Sequence, residues 1–229
     1  MQYYHYVSAS KIDMLFPQVP SGFLDGLKVE LGFDFGLLKG KLAGERRDPT
    51  TRIAQVQVLE RFFEMEGLLR LTLTEGTWMK GKLKGRAGSL PSYDGLVLFG
   101  GTFDKTTLLL AGSESNLTSG SANPGKDKGW SFMPRTLHSL KKYLEQDMEL
   151  LDLETSGTGY PGSVAESYVF HSEDGFSGAL WHAFHSMPQD ALPEPSFDMS
   201  FLARIFLVRQ NHKGEVLAVG SPLYIRDDA

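Results

Sequence analysis

The 229-residue sequence contains no cysteine. That absence removes disulfides, thiolate zinc sites, iron–sulfur clusters and a cysteine nucleophile together, and it fits a reducing compartment. Positive charge is not in excess either: 23 Lys and Arg stand against 28 Asp and Glu, a formal charge of -5. No global field then draws the chain to nucleic acid or to an anionic membrane, and nucleic acid is not an expected partner. No apolar run approaches the roughly 18 residues that a membrane-spanning helix needs. The first residues, MQYYHYVSASK, carry neither the basic nor the apolar region of a secretory signal. A soluble, cytoplasmic protein without membrane contact is therefore expected, and the sequon Asn116-Leu117-Thr118 carries no weight. Two catalytic signatures are missing as well: there is no Walker-type phosphate loop and no serine within G-x-S-x-G.

What is present is enough apolar material, 41% of residues, to bury one large domain or two small ones. Residues 2–8 are aromatic and β-branched enough for a strand, and 10–15 read as a short helix stopped by Pro17 and Pro20. A second helix is expected over 22–31, with Phe23, Leu27 and Leu31 at helical spacing. The clearest helix is 48–65, where Asp48 can cap, Pro49 takes the first position, and Ile53, Val56, Leu59, Phe62 and Phe63 form an apolar stripe. From Trp78 to Ser113 the period changes to two, with turns at Asp94-Gly95 and 100–105. A Ser-, Gly- and Asn-rich stretch, 114–128, reads as a loop or linker, and a further helix is expected over 134–147. Three prolines in 188–195 call for an extended connection, and SFLARIFLVRQ with EVLAVGSPLYI forms a hairpin across 211–214.

These elements predict an α+β fold: antiparallel sheets made by the 78–113 and 200–226 strands, covered by helices, within one domain spanning 1–229. Phe99 to Gly112 spans 13 positions and Val208 to Gly220 spans 12, so two apolar strand pairs end in Gly-Ser at nearly equal spacing. Two related halves, 1–118 and 130–229, joined by 114–128, would explain this; so would the general likeness of apolar hairpins.

Three stretches could carry chemistry. Gly157, Gly159 and Gly162 spell G-x-G-x-x-G, but a dinucleotide fingerprint also needs a parallel strand with a closing acidic residue, and none follows. The stretch is read as a bend. His182 and His185 lie three apart, with His171 or Asp174 available as a third ligand or catalytic partner. The neighbouring Trp181, Phe184 and Met187 favour a partly buried aromatic cluster instead, so no metal and no cofactor are expected. Lys80, Lys82, Lys84 and Arg86 alternate along one strand face behind Trp78, the one local cationic stripe, suited to a solvated face or to an anionic ligand.

Tyr3 to Gln18, YYHYVSASKIDMLFPQ, resembles an uncharacterised bacterial family of about this length, in which a Tyr-rich strand runs into a short helix ending in Pro-Gln. Leu110-Ala111-Gly112-Ser113 with Asn116-Leu117, and Gly220-Ser221-Pro222-Leu223-Tyr224, are similar to pieces of the same family. The resemblance implies no established activity, cofactor or catalytic residue. Its members look like components of bacterial regulatory or conflict gene modules. The expected function is a non-enzymatic binding or interaction module, a regulatory or accessory component of such a defence system, with another protein as partner. Two alternatives stay open: a sensor of a nucleotide or other small anion using Lys80 to Arg86 with the 157–162 loop, and a hydrolase using the histidine cluster with Asp174.

Overall fold

The computed structural model describes residues 3–31, 49–89, 95–118, 192, 195–210 and 214–228. In chain order these form β1 (Tyr4–Val7), α1 (Ala9–Leu15), a 3-10 turn (Phe16–Gln18), α2 (Ser21–Leu31) and α3 (Pro49–Met65). They continue as β2 (Leu69–Arg70), β3 (Trp78–Ser89), β4 (Leu96–Phe103), β5 (Thr106–Ser113), a second 3-10 turn (Glu114–Asn116), β6 (Phe197–Gln210) and β7 (Val216–Asp227).

Five strands close on themselves. β3 pairs with β4, β4 with β5, β5 with β7, β7 with β6, and β6 with β3; every ladder is antiparallel except β5 with β7. β1 adds antiparallel to the end of β7, and β2 contributes two parallel pairs to the start of β3. This corrects the expected α+β arrangement: the described chain is mostly β, a closed five-stranded barrel with two extra strands. Period-two patterning reports which side chains face inward. Closure depends on pairings such as Lys80 with Leu202, which join strands far apart in the sequence and leave no local signature. It also removes the open edges that a flat sheet would have to guard. Around the ring β3, β4 and β5 stand together, and β7 and β6, from beyond the 114–128 segment, close it by pairing with β5 and β3.

Local chemistry fixes the turns. β4 and β5 are joined by the two residues Asp104 and Lys105, and Asp104 takes a positive φ of 51°, which a short polar side chain tolerates. Helix α3 ends in a Schellman motif: the amide of Leu68 donates to the Phe63 carbonyl at 2.9 Å and that of Gly67 to Glu64 at 3.2 Å, with Gly67 left-handed at φ 63°. Where β3 passes from β6 to β4, a Cβ on Gly85 would sit 2.4 Å from the Gly100 carbonyl oxygen. Only glycine permits that approach.

The two sides of the barrel wall carry two cores. Inside, Leu83, Phe99, Leu110, Met199, Phe201 and Ile225 fill the lumen. Outside, Val56, Leu59 and Phe63 of α3, spaced for one helix face, join Ile12, Phe16 and Leu24 against Leu202, Leu223 and Tyr224. The segments 119–191 and 32–48 fall outside the described residues, and with them the expected 134–147 helix and most of the 114–128 loop.

Candidate functional site

Alternation along β3 turns Gly81, Leu83 and Gly85 inward, so Lys80, Lys82 and Lys84 stand outside. Register then carries these positions across the wall. Lys82 faces Ser200, Ser200 faces Arg226, and Arg226 faces Tyr4, while in the next outward row Lys80 faces Leu202 and Leu202 faces Tyr224. One polar row therefore crosses four strands on this face, and beside it Lys80 and Tyr224 flank the buried Leu202.

Helix α3 covers the Lys80 row. Glu60 and Glu64, one turn apart, both accept from Lys80 Nζ, at 2.6 and 2.7 Å. Partial burial opposes the lysine charge, but the hydrogen bonds and charges of the two glutamates outweigh it and hold its pKa above the usual value. Arg226 lays its guanidinium 5.1 Å from the Tyr224 ring centroid and 5.9 Å from that of Tyr4, donates to the Tyr4 hydroxyl at 3.4 Å, and lies 3.9 Å from Glu60. Burial works against this cation too, and the Tyr4 hydrogen bond with the surrounding charges reverses the balance. Tyr224 is fully buried, and among the described residues its hydroxyl meets no partner at ordinary hydrogen-bonding geometry. Burial first, then the Glu60 charge, push its pKa far upward, while Arg226 pulls the other way.

The cover ends at the next row: the Lys82 side chain is 72% exposed against 38% for Lys80. There the wall opens into a half-open pocket of about 380 Å³ lined by Lys80, Gly81, Lys82, Ser200, Arg226, Asp227 and Asp228. Lys82 Nζ donates to Asp228 Oδ1 at 2.7 Å, and the Ser200 hydroxyl donates to the same oxygen at 3.0 Å. The Lys82 bond chiefly, helped by Ser200, holds the Asp228 carboxyl below its usual range. Beside them His5 Nε2 meets Asp227 Oδ1 at 2.6 Å, its ring packed between Tyr3 and Phe197 at centroid distances of 5.0 and 4.9 Å. Three cations, Lys80, Lys82 and Arg226, thus face four carboxylates, Glu60, Glu64, Asp227 and Asp228.

A second polar node lies at the junction of β1 and α1. The buried Lys11 amine donates to Ser221 Oγ at 2.6 Å and to the Pro222 carbonyl at 2.9 Å. Pro222 has no amide hydrogen, and the register between β6 and β7 slips beside it. Asn116 Oδ1 accepts from the Ala9 amide at 3.0 Å, satisfying a donor at the start of α1 that the Ser8 side chain leaves open. Gly112 lies against Tyr6, where a Cβ would come within 2.4 Å of the phenol oxygen. The segments 3–18, 110–117 and 220–224, separate in sequence, therefore meet in one place and hold β1 and α1 to the barrel.

The cationic stripe is thus built as read, but it is not a bare positive surface: Lys80 and Lys82 already hold carboxylates, Arg86 donates to the Leu192 carbonyl at 3.5 Å, and Lys84 projects into solvent. Trp78, half-buried, packs against Phe63 at a centroid distance of 5.0 Å at the border of the helix-covered core. Gly157, Gly159, Gly162, His171, Asp174, His182 and His185 lie outside the described residues. Among the described residues no group of three His, Asp or Glu could hold a metal, and no helix is long and apolar enough to cross a membrane. Sequence reading missed Glu60, Lys11, Ser200, Asp227 and Asp228. The one available signal was a glutamate on the apolar stripe side of α3, one residue after Leu59.

Fold and site together define a closed five-stranded β-barrel domain with a helix-covered polar network and a charged pocket at its border. The chain belongs to a protein family of unknown function, DUF7019, whose model matches residues 2–227. Comparison with curated proteins and with solved structures gives no match.

Proposed function

We propose that the chain is a non-enzymatic binding module whose recognition site is the pocket beside Lys82, Ser200 and Asp228. The observation that carries this reading is the half-open cavity of about 380 Å³, within the size range of small-ligand sites, lined by charges that neighbouring side chains already hold in place. Such groups lose little freedom when a ligand arrives, which favours affinity. Asp227 engages His5 as the acid of a triad engages its histidine, but the Ser200 hydroxyl donates to Asp228. An anion sensor at Lys80 would have to displace two glutamates.

The test is backbone-amide NMR of the full chain titrated with a protein-free metabolite extract and, separately, with candidate partner proteins. Perturbations centred on Lys82, Ser200 and Asp227, and lost in Asp228→Asn, support the site. Perturbations confined to another surface overturn it.

A further inference from the structure

We infer that the pocket takes a small zwitterion of the amino-acid type, its carboxylate on Lys82 and its ammonium on Asp228. The inference rests on the proposed binding site and adds the ligand class.

Charge balance carries the argument. Lys82 and Asp228 form an ion pair at 2.7 Å, and Lys82 is largely in water, so little is lost when the pair opens. A zwitterion inserted between them gives each protein charge a new partner of the right sign. A simple anion would take Lys82 and leave the Asp228 carboxylate, 25% exposed, without its ion-pair partner and with only the Ser200 hydroxyl bonded to it. A simple cation would take Asp228 and return Lys82 to water, leaving that charge without a ligand contact. The neighbouring charges are already engaged: Lys80 by Glu60 and Glu64, Asp227 by His5, and Arg226 by the Tyr4 and Tyr224 rings and Glu60. Ser200 lies between the two ends on the middle strand, with a hydroxyl that can turn to either end as donor or acceptor.

Saturation-transfer NMR with the full chain and the free L-amino acids, followed by titration of the best binder, tests this. We expect at least one free amino acid to bind with shifts at Lys82 and Ser200. Acetylating its amine, amidating its carboxylate, or changing the protein by Lys82→Met or Asp228→Asn should each weaken binding by about tenfold or more, the scale of one charge-assisted contact. Both side chains are at the surface of the pocket, and unchanged melting temperatures would show that the variants fold. If no free amino acid binds, or if the blocked derivatives bind equally well, the ligand class is wrong. Inorganic phosphate producing the same shifts would also overturn the class while leaving the site. Binding that maps away from Lys82 and Asp228 would overturn site and class together.

Discussion

The inner and outer faces of the same strands solve different problems. On β3, Leu83 and the glycines beside it face a lumen packed by Phe99, Phe201 and Met199, whereas Lys80 and Lys82 on the other side meet Glu60, Glu64 and Asp228. The lumen is held by volume, so it tolerates loss of a side chain poorly and has no use for charge. The outer face joins α3 and β1 to the barrel through an apolar patch bordered by ion pairs, and its cations remain charged because carboxylates accompany them. One wall can therefore be rigid on one side and hold a charged, half-open pocket on the other.

Truncating the lumen should have the largest effect. Phe201→Ala removes a fully buried ring and should cost about 3–5 kcal/mol in denaturant unfolding. A loss below roughly 1 kcal/mol would mean that the lumen is not the main source of stability. Next comes Lys11→Met, which leaves Ser221 and the Pro222 carbonyl without their buried donor and should cost about 1–3 kcal/mol. Hydrogen exchange should show the loss at β1 and α1 first, and uniform destabilisation would contradict the idea that this node anchors them.

Lys80→Met separates the faces more finely. It leaves the buried Glu60 short of its nearest cation, and because Lys80 is partly solvated the cost should be about 1–2 kcal/mol, less than for a fully buried pair. Its folded pKa is raised, so its contribution is complete below the unfolded value of 10.5 and is lost as pH rises through the folded one. Alkaline unfolding curves of the variant and the native chain should converge there; a constant gap would sink the assignment. Smallest is Asp228→Asn. The folded pKa of Asp228 is lowered, so its contribution is present above the unfolded value of 3.8 and fades as pH falls through the folded one. The variant should flatten the acid limb slightly, and high salt should erase the difference because the Lys82 partner is largely in water.

Much of the local structure was legible. The β1, α1, α2 and α3 segments, the β4–β5 turn and the final hairpin follow from periodicity, proline and turn residues, since these act within a few positions of themselves. The barrel was not legible, because an α+β sheet and a closed barrel share one alternation pattern and differ only in whether β3 meets β6. The pocket was half legible. Lys82 stood out by its place in the stripe, but Asp228 and Ser200 come from the other end of the chain, and nothing in DMSFL or IRDDA marks them as partners.

The sequence by itself determined the absence of thiol chemistry, most of the described segments that become helix or strand, and which β3 side chains stand outside the wall; composition and short-range periodicity are sufficient for each. Tertiary structure alone decided that the wall closes, that Lys80 carries two glutamates, and that the segments 3–18, 110–117 and 220–224 meet around Lys11 and Asn116. Electrostatic character depends on distance in space, and folding brought four carboxylates to a stripe that reads as purely basic along the chain.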